Sequence, residues 1–220
     1  MIQGAIFDAD GTLLDSMQIW KEAGARYLRQ FGIELSDEAY KKMFTMSLEE
    51  SAVFLKEHYG LQDSPDKIKR DVLKNIEDFY RFEVSAKPGV HSFLCEMKKE
   101  NIPMAIATSG DRALLESALE RLNIRHYFKE IFTCTELRTS KKEPFIYYEA
   151  AKHLGTQPQK TVVFEDVLYA IETAKKAGFI TAAVSDPQSD GEAAQIRLQA
   201  DYYMADFSGF QDFMKYASAH

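Results

Sequence analysis

Apolar residues along this chain follow two alternating patterns. Short runs at 5–7, 104–107, 130–133, 162–164 and 181–184, with a weaker one at 202–204, are strand length and rich in Ala, Ile, Val and Phe. Between them, apolar positions recur at helical spacing, as in Leu114, Leu115, Ala118 and Leu122, and again in Ala170, Ile171, Ala174 and Ala177. Strands that stay apolar on both faces must be covered on both faces. The pattern therefore predicts an α/β domain whose parallel sheet carries helices on either side.

Residues 16–82 interrupt this alternation with an almost wholly helical pattern joined by polar connections such as 62–65. The expected division is a core of 1–15 plus 86–220 and an inserted α-helical cap domain of 16–85. Ser36, followed by Asp37 and Glu38, predicts a helix start, and Ser47 with Glu50 three residues on has the form of a capping box. Pro65 is placed to begin a long helix reaching about Phe82. Pro88 and Gly89 signal a turn where the chain returns from the insert.

Length and composition narrow the class. A chain of 220 residues with 45% hydrophobic content can build one large core and a smaller appended domain. The net charge of −7 argues against binding a nucleic-acid backbone and fits a site that collects a divalent cation. The first residues have neither a basic segment nor a long apolar stretch, so no signal or membrane anchor is expected and the cytoplasm is the default location. Cys95 and Cys134 are far apart, lack metal-ligand spacing and are expected to be buried thiols. The five histidines show no paired spacing of the kind that binds metal.

Ligands of open parallel sheets bind beyond the carboxyl ends of the strands, so the polar residues that end each run hold the candidate chemistry. Asp8 and Asp10 follow the first run, with Gly11 immediately after. Asp8, ionised at neutral pH, can attack phosphorus without a base, and Asp10 beside that charge can keep a proton for the leaving group. Thr108, Ser109 and Gly110 end the second run and offer hydroxyl and N–H donors for a phosphate; their plain alternative is a helix N-cap. Lys141 and Lys142 follow the third run, and either ammonium could offset charge in a transition state or simply be a solvated surface lysine. Glu165 and Asp166 close the fourth run, and adjacent acids there call for a cation, for which Mg2+ is the natural choice.

In this order the four segments resemble the haloacid dehalogenase superfamily of phosphohydrolases over nearly the whole chain. FDADGTLLDS is similar to its first motif, TSG to its second, Lys141 with Pro144 to its third and VVFED to its fourth. The helical insert resembles the cap of the beta-phosphoglucomutase-like branch. The resemblance implies a Rossmann-like core and a Mg2+-dependent phosphomonoester hydrolase working through an aspartyl phosphate on Asp8. Asp10 would serve as acid and then as base. Mg2+ would be held by Asp8, the backbone carbonyl of Asp10 and Asp166, with Glu165 ordering the adjacent shell. Ser109 and Lys141 would grip the phosphate, Lys141 being chosen over Lys142 because the family's lysine stands three before a proline. The expected substrate is a small-molecule phosphomonoester, with no nucleic acid or membrane partner, and the expected state is a monomer or weak dimer.

Some positions depart from the family pattern. Val167 stands where a serine is frequent, Lys142 where a second proline is frequent, and Phe145 where an aspartate is frequent. Trp20 occupies the place of the mutases' cap-hinge histidine, and Leu48 that of their arginine for a distal phosphate. Losing that cation favours hydrolysis over a sugar phosphomutase, while a non-catalytic binding module would not need Asp8, Asp10, Lys141 and Asp166 together. Trp20, Phe44 and Met46 suggest a partly apolar wall that selects the leaving group, or else packing between cap helices. Cap closure is expected to pivot near 15–17 and 86–89.

Overall fold

The computed structural model describes residues 2–43, 46 and 48–219, and for Trp20, Lys21, Lys41, Asp190 and Ala219 only the backbone. Two compact units emerge: Met1–Ser16 with Val84–His220, and Met17–Glu83. Among the described residues the first contains six strands: β1 (Gly4–Phe7), β2 (Met104–Thr108), β3 (Phe128–Thr133), β4 (Thr161–Glu165), β5 (Ile180–Val184) and β6 (Tyr202–Met204). Every pairing is parallel, in the order β3-β2-β1-β4-β5-β6. This is the parallel α/β sheet that the apolar runs predict, in the Rossmann-like form that the resemblance implies.

The strand order reverses at β1, which lies between β2 and β4. A crevice opens at such a reversal because the flanking connections leave in opposite directions, and it lies at the strands' carboxyl ends. Phe7 is in register with Phe164, and the two rings stack with centroids 4.4 Å apart and planes 4° from parallel. Both face a cluster with Phe93, Phe207 and Phe213. The alternate residues, Ile6 and Val163, instead join Ala105, Ala107, Tyr147 and Ala150 on the other face. That two-residue period carries one step past β1 and to the last residue of β4. Asp8 continues the parity of Ile6, and Glu165 that of Val163, so both acids fall toward the face that holds Tyr147.

The second unit comprises helices α1 (Ile19–Arg29), α2 (Asp37–Met43), α3 (Leu48–Tyr59) and α4 (Pro65–Asp78). Ser36 accepts from Ala39 N–H at 3.2 Å at the start of α2, and Ser64 accepts from Lys67 N–H at 3.3 Å ahead of Pro65 at the start of α4. The last turn, Phe79–Glu83, widens to π-helical hydrogen bonding, so the long helix predicted to reach Phe82 is regular only to Asp78. Ser47 and Phe44 lie outside the described residues, as does the side chain of Trp20. Met46 and Leu48 line a cavity of about 210 Å3 within this unit, alongside Tyr40, Met43, Leu55 and Val72. Their placement matches packing between helices.

The sheet unit continues with α5 (Val90–Lys99), α6 (Arg112–Arg121), α7 (Cys134–Leu137), α8 (Phe145–Leu154), α9 (Leu168–Lys176), α10 (Ala193–Gln199) and α11 (Phe210–Ala219). Cys134 is buried as expected, whereas Cys95 is only half-buried on α5 and does not fit the expectation of a buried thiol. Among the described residues no helix is long and apolar enough to cross a membrane.

Gly89 begins α5 with φ 81°, and a Cβ there would lie 2.4 Å from the backbone carbon of Phe207. Gly89→Ala is therefore expected to destabilise the fold by more than about 2 kcal/mol, through both the left-handed backbone and the clash. Thermal melts of the two proteins check this, and an unchanged melting temperature would show that the contact is not tight in solution.

Candidate active site

β1 delivers Asp8 to the crevice, and the sheet holds it there because Asp8 N–H donates to Phe164 O at 2.9 Å. The chain then turns sharply. Leu13 and Leu14 N–H both donate to Ala9 O at 2.9 Å, and Gly11, at φ 87°, supplies the left-handed step that this turn requires. Asp10 leaves the turn half-buried, with its Oδ1 accepting from Ser16 Oγ at 2.6 Å.

The end of β2 packs directly on Asp10. A Cβ on Gly110 would sit 2.8 Å from Asp10 Oδ2 and 3.2 Å from Thr108 Oγ1, so any side chain there would push Asp10 off its bond to Ser16. Gly110 N–H donates to Thr108 Oγ1 at 2.9 Å. The N-cap of α6 is Asp111, which accepts from Ala113 N–H at 2.9 Å and Leu114 N–H at 3.1 Å. The plain capping alternative for Thr108 and Ser109 is thereby removed, since Asp111 does that work. Ser109 is exposed, and its hydroxyl lies 3.5 Å from Cys134 Sγ.

Lys141 and Lys142 part company. Lys142 is exposed, whereas Lys141 is buried and its ammonium donates to Asp8 Oδ1 and, at 2.7 Å, to Glu165 Oε1. Tyr147, on the first turn of α8, donates its hydroxyl to the same Glu165 oxygen at 2.9 Å. Asp166, one residue on, accepts from Thr12 Oγ1 at 3.3 Å. Carboxylate oxygens of Asp8, Glu165 and Asp166 all lie within 4.8 Å of one another.

Burial makes this charge expensive. It drives the Glu165 carboxyl up to about 7, with Asp8 adding to the rise and Lys141 and Tyr147 opposing it. Asp166 is raised well above the usual carboxylate range by burial first, then by Asp8, Glu165 and Asp186. Burial would lower Lys141, but the charges of Asp8 and Glu165 more than offset it and keep the ammonium protonated. Glu165 Oε2 and Asp166 Oδ2 are buried without a hydrogen-bond partner. Two orphaned acceptors beside a third carboxylate, all hard oxygen donors, fit a small divalent cation.

Thus Asp8, Lys141, Glu165 and Asp166 meet in one cluster, with Asp10 and Gly110 in contact one turn away. The side-chain group able to hold a metal comprises Asp8, Glu165 and Asp166, while the Asp10 carboxylate is engaged with Ser16. Thr12, Ser16 and Tyr147 were not singled out from the sequence. Ser16 lies inside the first motif and had a local signal, but Tyr147 had none, because its partner is on a strand 18 residues away.

The family model of haloacid dehalogenase-like hydrolases matches residues 5–184, which span the first four strand ends of this crevice. The chain belongs to that family. It is 28% identical over 202 residues to a phosphorylated carbohydrates phosphatase of Thermotoga maritima, covering 90% of this chain and 94% of the relative. It is 27% identical over 183 residues to a fructose-1-phosphate phosphatase of Escherichia coli, covering 80% and 92%. A crystal structure from Thermotoga maritima, provisionally described as a beta-phosphoglucomutase, superposes with a TM-score of 0.85 at 26% identity, covering 97% of this chain and 99% of that one.

Tyr147→Phe should remove one donor from Glu165 and cost about 1 kcal/mol, which lowers the melting temperature of a family member of this size by about 2–4 °C. Thermal melts at neutral pH check it, and no change would mean that Lys141 alone satisfies Glu165 Oε1.

Proposed function

We propose that this hydrolase is a Mg2+-dependent phosphomonoesterase acting on small sugar phosphates through an aspartyl phosphate on Asp8. The observation that carries the reading is the buried Asp8–Lys141–Glu165 contact beside Asp166, at the crevice where the strand order reverses. The names of the relatives from Thermotoga maritima and Escherichia coli support the phosphatase class and direct attention to phosphorylated carbohydrates. Bound Mg2+, held by Asp8 and Asp166 with the backbone carbonyl of Asp10, would neutralise phosphoryl charge and let the carboxylates stay ionised close together.

In the first half-reaction an Asp8 oxygen attacks phosphorus in line, the bond from phosphorus to the ester oxygen breaks, and Asp10 gives its proton to the departing alcohol. Lys141 fixes the orientation of the Asp8 carboxylate and offsets negative charge on the phosphoryl oxygens. Ser109, with its exposed hydroxyl, and the backbone around Gly110 supply further donors. In the second half-reaction water attacks the aspartyl phosphate, Asp10 takes the water's proton, and the Asp8–phosphorus bond breaks to release inorganic phosphate. Ser16 keeps the Asp10 carboxylate turned toward the crevice throughout.

The solved relative described as a mutase makes a sugar phosphomutase the second reading. Leu48 counts against it, because an apolar residue cannot grip a second phosphate.

Phosphate release from a panel of sugar phosphates, with Mg2+ and with chelator, tests the reading. Release should require Mg2+ and fall at least about a thousandfold in Asp8→Asn, which removes the nucleophile at nearly constant shape. Release that survives Asp8→Asn would exclude the aspartyl phosphate, and isomerised sugar phosphate with no free phosphate would establish the mutase.

A further inference from the structure

A second buried ion pair, one member of which shares a small cavity with Asp166, lies outside every motif of the sequence. Lys87 Nζ is 2.8 Å from Asp186 Oδ2, with the two side chains 7% and 1% exposed. The same ammonium donates to Ser185 O at 2.7 Å, and Asp186 Oδ1 accepts from Gln188 N–H at 2.9 Å. Asp186 thus stands two residues past β5, locked in its own turn. Asp166, Ser185, Asp186 and Ser189 line one common small cavity, which places Asp186 and Asp166 on the same wall of the sheet end.

Lys87 also reaches the loop that carries Asp10. Its N–H donates to Leu13 O at 2.9 Å, Asp15 N–H donates to Ser85 O at 2.9 Å, and Leu14 forms an antiparallel bridge with Ala86. The stretch 13–15 is thereby zipped to 85–87. Lys87 therefore ties together, by backbone on one side and ammonium on the other, the Asp10 turn and the end of β5 beside Asp166.

We propose that Lys87 and Asp186 form a charge-setting pair for the divalent-cation site, in which Asp186 strengthens cation binding at Asp166 and Lys87 limits that effect by neutralising it. The physical basis is sign and distance. A carboxylate beside Asp166 draws a cation in, an ammonium beside it pushes a cation away, and in a site this buried neither charge is screened by solvent. The pair takes up no substrate and acts through Asp166, so both are positioning residues. This inference rests on the metal reading above.

Calorimetric titration of Mg2+ and of Mn2+ into the whole chain tests it, with thermal melts as the folding control. Asp186→Asn leaves the ammonium unopposed and should weaken cation binding about tenfold. Lys87→Met should bind the cation at least as tightly as the unmodified protein, and Lys87→Arg should match it. The double variant Lys87→Met with Asp186→Asn, which removes both charges and leaves none unpaired, should recover binding to within about threefold. A purely structural role predicts the reverse pattern: both single variants weaker and the double variant weaker still, or no change in any of them, and either result overturns the proposal. If Lys87→Met does not fold, the comparison of Asp186→Asn with the double variant decides, since a double variant that binds no better than Asp186→Asn also overturns it. An unmodified protein that binds neither cation would defeat the metal reading itself, whereas normal binding without the opposed shifts defeats only the pair.

Discussion

Lys141 donating to both Asp8 and Glu165 is the contact on which the rest of the site depends. Three carboxylates that approach within 4.8 Å in a buried setting repel one another, and an unpaired buried charge costs several kcal/mol. A single ammonium between two of them lowers that cost without cancelling it, and the remaining excess is of the sign that a cation would offset. Everything around the crevice serves to hold those charges where they would not settle by themselves. The parallel register ends with Phe7 opposite Phe164, directly before Asp8 and Glu165, the Phe7–Phe164 stack anchors the strands behind them, and Tyr147 gives Glu165 a second donor.

The same logic explains the close packing around Asp10. Its two oxygens are treated differently: one accepts from Ser16, while the other faces Gly110, where no side chain fits. The bond to Ser16 and the close approach of Gly110 fix the orientation of this carboxylate, and the turn through Gly11 brings Asp10 and Ser16 together with residues near in sequence. Asp111 completes the arrangement by capping α6, so neither Thr108 nor Ser109 is needed for that cap, and Ser109 keeps an exposed position at the end of β2.

Fold class was legible in the chain because its central strands β1, β2 and β4 are buried on both faces and therefore read as short apolar runs. The elements miss by a residue or two at their ends, and the long helix of the inserted unit breaks into a π turn at Phe79 where periodicity shows no interruption. Site residues at strand ends were legible for a related reason: polar residues directly after an apolar run are conspicuous. Between Lys141 and Lys142 composition cannot choose, and it was the proline three residues on that favoured the first.

The sequence by itself determined the alternation of strands and helices, the acidic strand ends and the glycines their turns require, since each of these is written in residues that are neighbours along the chain. Only the tertiary structure decided which oxygens are satisfied and which are orphaned. Tyr147 meets Glu165, Thr12 meets Asp166, and Lys87 meets Asp186 across separations of 18, 154 and 99 residues. No local pattern specifies such pairs, because they exist only once a parallel sheet has brought distant strand ends to one edge and excluded the water that would otherwise satisfy each group alone.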